Sequence, residues 1–272
     1  MEFHGVAKIE RPRTSQDMNS ILEELRFAGD RQEIIRYVAL IEKTVGALDI
    51  PPEFLKSIEI GRAIKKNFAQ RLSTALAQKI ADAYRLKLKS ILPDADGRRH
   101  ESRTMGAGGL KKLDVNYSTP EIGLGLGLSV KTINFRDAKT KRFTKNVKRV
   151  DGELRAEAED VHKRQPFSVV AALVFIPREA TIDGVGGRSS VWHLWDVLHR
   201  RCGRVDTKND HSKLELGFIG VYDCSGPNAG AVSFLDSSTA PPVKGWPETE
   251  TLLFRDVLDS VERTFLQRNK VR

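Results

Sequence analysis

The stretch FSVVAALVFIP, residues 167–177, constrains the fold more than any other part of the chain. From Val169 to Ile176 every residue is apolar, and the polar–apolar alternation of a half-exposed strand is missing. A continuous apolar run of this length is typical of a β-strand that is buried on both faces. We therefore predict a central strand around which the other elements are arranged.

The segments around this strand supply its neighbours. Alternation predicts strands over 110–117 (LKKLDVNY) and 126–135 (LGLSVKTINF), and helical spacing predicts a helix over 152–165 that stops at Pro166. After the central strand, the patterns predict a helix over 190–201, strands over 214–224 and 230–236, and a last helix over 250–268. The order strand, strand, helix, buried strand predicts an α/β core with a mixed (α+β) sheet.

The first third of the chain has a different pattern. Apolar residues recur at i, i+3, i+4 and i+7 from Met18, and helical spacing continues in further segments to about Leu88. Residues 93–109 contain a proline, two aspartates and four glycines and are predicted to be a loop or linker. We therefore predict an N-terminal helical region, 1–92, and a core with a C-terminal helix, 93–272.

The composition limits the function classes. The 272 residues contain no apolar run of the roughly 18 residues that span a bilayer, and the N-terminus lacks the apolar core of a secretory signal. The two cysteines, Cys202 and Cys224, lack the spacing of a zinc site or a disulfide framework. We expect a cytoplasmic protein that does not bind membranes.

The net charge of +9 predicts a polyanionic partner. The excess is concentrated in residues 136–149, where seven Lys or Arg accompany one acid, Asp137. This basic segment is either a solvated loop or a phosphate-contacting segment, and the interleaved Phe135 and Phe143 favour the second interpretation. Residues predicted to contact DNA are Arg136, Lys139, Lys141, Arg142 and Lys145, with Arg188, Lys208 and Asn209 in polar loops as candidates for reading bases.

Two charged residues stand in predicted strands. Asp114 is flanked by Leu113 and Val115, and Lys131 lies in the next strand on the same face as Ser129. If the strands pair, one face presents Asp114, Ser129 and Lys131 together. An Asp114–Lys131 ion pair without a function is one interpretation. Because buried ion pairs contribute little net stability, a divalent metal and a polarised water explain the two charges better.

A metal site needs a second carboxylate. Glu157 lies within the apolar stripe of the helix predicted over 152–165, so it should point inward, and Gln165 extends the same side. Glu153, one turn earlier, is the alternative, while Glu159 should face solvent. Glu121 has the right parity with Lys131, but ten residues of strand span roughly 33 Å.

These residues carry a family resemblance. An Asp in one strand, x-x-K in the next, then a helix and a buried strand resembles the PD-(D/E)xK nuclease superfamily over roughly 110–177. LDV stands in place of the family's PD, with Leu113 for proline, and SVK stands in place of (D/E)xK, with Ser129 for the acid. Some type II restriction endonucleases have the same S-x-K form and take the missing carboxylate from the next helix.

The resemblance implies a restriction-endonuclease-like core and Mg²⁺-dependent hydrolysis of phosphodiester bonds in double-stranded DNA at a short site. Asp114 and Glu157 would hold Mg²⁺, Lys131 would position or help deprotonate the attacking water, and Ser129 would orient a water. A homodimer, a cognate DNA methyltransferase and a bacterial or archaeal cytoplasm would accompany this role. The alternatives are a non-catalytic DNA-binding regulator and a repair or phage-defence nuclease with the same core.

Overall fold

The computed structural model describes residues 47–55, 62–85, 87–96, 102–106, 109–184, 188–242 and 251–269. The helices predicted before residue 47 lie outside these ranges. All the described residues except Ala47 belong to one compact unit, Leu48–Arg272. No helix in the described part of the chain has the length and apolar character to cross a membrane.

The described ranges contain five α-helices and seven β-strands. The helices are α1 (Pro52–Leu55), α2 (Arg62–Tyr84), α3 (Val147–Arg164), α4 (Ser190–Arg201) and α5 (Phe254–Asn269). The strands are β1 (Ser102–Gly106), β2 (Gly109–Leu113), β3 (Val115–Thr119), β4 (Gly123–Thr132), β5 (Val169–Pro177), β6 (Leu216–Tyr222) and β7 (Val232–Asp236). Short 3₁₀ turns precede α3 and follow β5.

The central sheet has five strands in the order β3-β4-β5-β6-β7. The three middle strands, β4, β5 and β6, are parallel, and the outer strands β3 and β7 are antiparallel to their neighbours. Strands β1 and β2 form a separate antiparallel hairpin. The predicted α/β class with a mixed sheet is confirmed.

Strand β5 lies in the middle of the sheet, and all nine of its residues are buried. Its odd-numbered residues from Val169 to Phe175 share one apolar cluster with α2 and α5. Its even-numbered residues from Val170 to Ile176 share another with α3 and α4. Helices therefore cover both faces of the sheet, which explains why this strand has no polar side.

The same two faces sort the side chains of β4. Leu126, Leu128 and Val130 belong to the cluster with α2 and α5. Because side chains alternate along a strand, Ser129 and Lys131 point to the other face, toward α3. Helix α2, which falls in the predicted N-terminal helical region, packs against this same sheet through Leu72, Leu76 and Ile80. The predicted boundary between an N-terminal helical region and the core, at residues 92 and 93, stays a prediction.

Three local predictions were wrong. The predicted loop over 93–109 contains β1 and the first residue of β2, because a glycine-rich stretch of this kind can close a hairpin as well as form a linker. The single strand predicted over 110–117 is interrupted by a bend at Asp114. Helix α3 begins at Val147, five residues before the predicted start at Gly152, since the buried Val147 and Val150 extend its apolar stripe.

Candidate active site

The structure brings Glu157 against the two polar side chains of β4. Leu154, Ala158 and Val161 of α3 are buried against the sheet, and Glu157 lies between them on the helix surface. Its Oε2 accepts a hydrogen bond from Ser129 Oγ at 2.5 Å, and its Oε1 accepts one from Lys131 Nζ at 2.6 Å. Because Ser129 pairs with the small Ala172 of β5, the neighbouring strand leaves room for the carboxylate.

Lys131 lies in a carboxylate-rich environment with 17 % of its side chain exposed. Burial lowers the pKa of the ammonium, but attraction to Glu157, Asp114 and Glu153 outweighs it and raises the pKa above the ordinary value. The lysine is therefore a cation and hydrogen-bond donor at neutral pH. Of the two roles expected for it, positioning the water fits this state, whereas taking a proton does not.

Asp114 occupies the bend between β2 and β3, where it is half-buried. Its Oδ2 accepts a hydrogen bond of 2.7 Å from the backbone N–H of Val130. Val115, the first residue of β3, pairs with Leu128 of β4, and the chain bends at Asp114, just before Val115. The Asp114 carboxylate therefore accepts the Val130 N–H in place of a backbone carbonyl of a continued strand. The hydrogen bond fixes Asp114 to the residue directly before Lys131.

The other candidate side chains around the site differ in position. Glu153 lies 3.8 Å from Lys131 Nζ, is 37 % exposed and pairs with Arg149 at 2.5 Å, which places it at the rim. Glu159 faces solvent and pairs with Lys163 at 2.7 Å. Gln165 lies at the opposite end of β4, where its Oε1 accepts from Leu124 N at 2.5 Å. The geometry therefore favours Glu157 over Glu153 and takes Gln165 out of the site.

Glu121 is exposed in the turn before β4. This turn joins β3 to the start of β4, whereas Lys131 lies near the end of the strand. Its distance along the strand excludes it from the site, as the sequence spacing indicates.

The side-chain oxygens of the site fit Mg²⁺ only if water or substrate supplies the remaining ligands. Within the described ranges, no group of three or more His, Cys, Asp or Glu side chains could hold a metal ion. Mg²⁺ commonly uses one or two carboxylates and takes its other ligands from water and substrate phosphates. Asp114 and Glu157, with the hydroxyl of Ser129 beside them, match that ligand chemistry and would need substrate or water to complete it.

The basic segment follows β4 as a folded loop that leads into α3. Asp137 accepts hydrogen bonds from the backbone N–H groups of Thr140 and Lys139 and pairs with Lys145 at 3.1 Å. These contacts, led by the Thr140 hydrogen bond, lower the pKa of Asp137 to about 2. Lys141 has a φ of 59°, in the left-handed region. The single acid of the segment therefore holds the loop shape while Lys139 and Lys141 remain exposed.

Only one of the three base-reading candidates lies beside the basic segment. The Arg142 guanidinium donates to the carbonyl oxygen of Arg188 at 2.6 Å, and the Arg188 guanidinium stacks on Trp192 at 4.5 Å. Lys208 and Asn209 lie in the loop that precedes β6. Because β4 and β6 are parallel, that loop is at the opposite edge of the sheet from the end of β4.

A buried charged cluster at that opposite edge was not predicted from the sequence. Glu215 Oε1 accepts from Arg204 at 2.7 Å and lies 3.1 Å from Arg268, and its Oε2 lies 3.2 Å from His162 Nε2. The His162 and Arg204 side chains are fully buried. The cluster joins α3, β6 and α5. The available signal was Glu215, an acid between Leu214 and Leu216 where an apolar strand begins.

Comparison of the chain with protein-family models, with curated proteins and with solved structures gives no match. The chemistry of the site therefore rests on its own residues. Those residues are two carboxylates, a charged lysine and a serine hydroxyl at one end of a parallel strand, next to an exposed basic loop.

Proposed function

We propose that the protein is a Mg²⁺-dependent endonuclease that hydrolyses phosphodiester bonds in double-stranded DNA, acting at a short specific site as type II restriction endonucleases do. One observation carries the proposal. Glu157 contacts both Ser129 and Lys131, and Asp114 is bonded to the residue between them. Residues separated by up to 43 positions thus meet at one strand end beside the most basic segment of the chain.

Asp114 and Glu157 are the residues that would hold Mg²⁺. When bound, the ion supplies positive charge to the scissile phosphate and lowers the pKa of water. Without such a cation, two carboxylates would repel a DNA phosphate. The ion-paired Lys131 adds only part of the compensating charge, since Glu157 and Asp114 together carry two negative charges when ionised.

Lys131 contributes as a donor. Its ammonium is held by Glu157 on one side, and ammonium groups have three N–H bonds, so it can also bind a phosphate oxygen or an attacking water. Because it stays charged, it stabilises negative charge that develops on the phosphate. Ser129 holds the second oxygen of Glu157 and thereby fixes the carboxylate plane.

The exposed lysines of the basic segment would bind the DNA backbone. Lys139, Lys141 and Lys145 lie in the basic segment, which begins four residues after Thr132, the last residue of β4. Contacts of this kind fix the position of the duplex without reading its sequence. Cutting both strands of a symmetric site would require two copies of the site, which is the reason for proposing a homodimer. A cognate DNA methyltransferase would protect the host sites in a bacterial or archaeal cytoplasm.

Plasmid cleavage tests the proposal. The wild type, Asp114→Ala, Lys131→Ala and Glu157→Ala are incubated with supercoiled plasmids of different sequence in Mg²⁺ or in EDTA. We expect discrete fragments from the wild type in Mg²⁺ alone and no cutting by the three variants. Glu159→Ala and Lys163→Ala are matched controls, because they remove an exposed acid and an exposed lysine from the same helix. Cleavage that survives Asp114→Ala or Lys131→Ala contradicts the proposal.

A second candidate, a DNA-binding regulator without catalysis, is favoured by one observation. Both carboxylate oxygens of Glu157 already accept hydrogen bonds within the protein, from Ser129 and Lys131. DNA binding without cleavage across many plasmids would support this candidate. Cleavage without sequence preference would instead support a repair or phage-defence nuclease.

A further inference from the structure

A pocket of about 440 Å³ opens at the carboxyl ends of the three parallel strands. Asn134 follows β4, Pro177 ends β5 and Tyr222 ends β6, and all three line the pocket. Ligands of α/β proteins commonly bind outside the carboxyl ends of strands, and this volume suits a small molecule or one nucleotide. The pocket begins at Asn134, three residues after Lys131 and just beyond the end of β4, and Lys131 does not line it.

The walls of the pocket are aromatic. The rings of Phe54 and Phe68 lie 5.3 Å apart, and Phe68 and Phe135 are also 5.3 Å apart. Phe143 lines the pocket beneath the guanidinium of Arg136, which lies 5.5 Å from the ring centre. Aromatic walls favour flat ligands that can pack against rings, and nucleobases are such ligands.

Glu179 supplies the most informative polar group. Its Oε2 is buried and, within the part of the chain that the structure describes, has no hydrogen-bond partner. Burial, and after it the charge of Glu179 and a hydrogen bond between the two side chains, raises the pKa of the neighbouring Cys224 to about 12, so the thiol stays neutral. A buried carboxylate oxygen without a partner is costly, so a ligand N–H that reached Oε2 of Glu179 would be favoured.

Asn134 adds a second polar group at the base of the pocket. Its amide donates to Thr132 Oγ1 at 2.9 Å and accepts from Tyr222 OH at 3.2 Å, which fixes the side chain. An amide has two N–H donors and two acceptor positions, so each kind retains capacity for a ligand. At the rim, Arg136 and Lys141 are exposed cations that line the same pocket.

We propose that this pocket binds a nucleobase with an exocyclic amino group, the base of a nucleotide whose phosphate contacts Arg136 and Lys141. Carboxylates accept hydrogen bonds from the amino groups of bases, and asparagine pairs with their ring edges. Thymine presents one N–H between two carbonyl oxygens, which would face the Glu179 carboxylate unfavourably. The nucleotide is either free or part of a DNA strand with its base turned out of the stack, and the second source rests on the proposed nuclease function.

Binding of defined nucleotides tests this inference. Calorimetry on the full chain uses dCMP, dAMP, dGMP and dTMP, and then DNA duplexes that carry one bulged cytosine or one bulged thymine, without divalent ions so that no strand is cut. We expect the wild type to prefer amino-bearing bases over thymine by about tenfold or more. Glu179→Gln should abolish the preference, because its amide can also donate to a thymine carbonyl. Glu159→Gln, which changes an exposed carboxylate, should keep it.

Lys141→Asn separates the rim from the base site, since asparagine tolerates the positive φ at this position. It should weaken binding of all the mononucleotides alike while the base preference remains. A preference seen with bulged duplexes identifies a base within DNA, and one seen only with mononucleotides identifies a free nucleotide. Equal binding of all bases, or a preference unchanged in Glu179→Gln, overturns the inference. If the preference holds while plasmids stay intact, the proposed function fails and this site stands.

Discussion

The Lys131–Glu157 pair allows stability and function to be tested separately. Each side chain is 17 % exposed, so removing one partner leaves a largely buried charge. Breaking a buried pair costs about 3–5 kcal/mol. Because both groups retain some solvent contact and Glu153 lies 3.8 Å from Lys131, we expect about 2–3 kcal/mol for Lys131→Met or Glu157→Leu alone. For a unit of this size, that lowers the Tm by about 4–12 °C.

The double variant Lys131→Met/Glu157→Leu should recover part of the summed loss. Replacing a buried ion pair with apolar residues of similar volume is often neutral or stabilising, because neither charge then remains buried alone. Only the Ser129 hydroxyl loses its acceptor, at a cost of about 1–3 kcal/mol if it finds no other. We therefore expect the double variant to be less destabilised than the sum of the single variants by at least about 2 kcal/mol.

Urea unfolding of the four proteins at pH 7 measures this double-mutant cycle, and plasmid cleavage in Mg²⁺ is assayed in parallel. The double variant should fold and fail to cut. Since the pKa of Lys131 is raised, its ion-pair stabilisation is fully present below the unfolded-state pKa of about 10.4 and is lost only as the pH rises through the higher folded-state value. The cost of Lys131→Met should thus be constant from pH 6 to 9. Strictly additive losses, or a double variant that cuts, would refute the reasoning.

Further predictions concern the basic segment, the buried cluster and two glycines. The triple variant Lys139→Gln/Lys141→Asn/Lys145→Gln should weaken DNA binding and make the slope of log K against log salt less negative by about 2. The expected change is about 2 for three lysines because Asp137 partly neutralises Lys145. An unchanged slope would identify the segment as a solvated loop. Arg204→Met should lower the free energy of unfolding by about 3–5 kcal/mol in urea. The pKa of Glu215 is lowered because its hydrogen bonds and the nearby cations outweigh burial. The stabilisation it provides is therefore present above its unfolded-state pKa and is lost as the pH falls through its folded-state pKa. An acid titration of the stability of Glu215→Gln should lack this loss. In β6, Gly217→Ala should destabilise by about 1–3 kcal/mol because its Cβ would lie 2.5 Å from Cys202 Sγ. Gly152→Ala in α3 should stabilise by about 0.5–1 kcal/mol, since nothing lies within 4 Å, and thermal melts with the same sign for both would contradict the packing described.

Elements with strong local patterns were predictable from the sequence. Helix α4 has the predicted bounds, Ser190–Arg201, and β5 coincides with its apolar run, because both bury a face that the sequence displays directly. The inward orientation of Glu157 followed from helix periodicity in the same way. Its two hydrogen bonds, to Ser129 and Lys131, reflect that phase.

Features that depend on the order of strands were not predictable. Lys208 and Asn209 lie in a polar loop as the residues after β4 do, but the parallel arrangement of β4 and β6 puts them at the opposite edge. The bend at Asp114 is likewise a tertiary feature, since the alternation of Leu113, Val115 and Tyr117 continues through it. The unpartnered Oε2 of Glu179 has no sequence signal either, because its surroundings are formed by residues at the ends of three different strands.

The hydrogen bond from Val130 to Asp114 has a consequence for how such sites can vary in length. It joins the two halves of the site directly, while the chain between them runs out along β3 and returns along β4 through a turn at the far end. Matched insertions in both strands would lengthen this hairpin and leave Asp114 and Lys131 in place. A single extra residue can also be absorbed, because β4 already has one, Gly125, between the residues that pair with Tyr117 and Ser118. The number of residues between the acid and the lysine is therefore free to change, provided that Val115 keeps its pairing with Leu128.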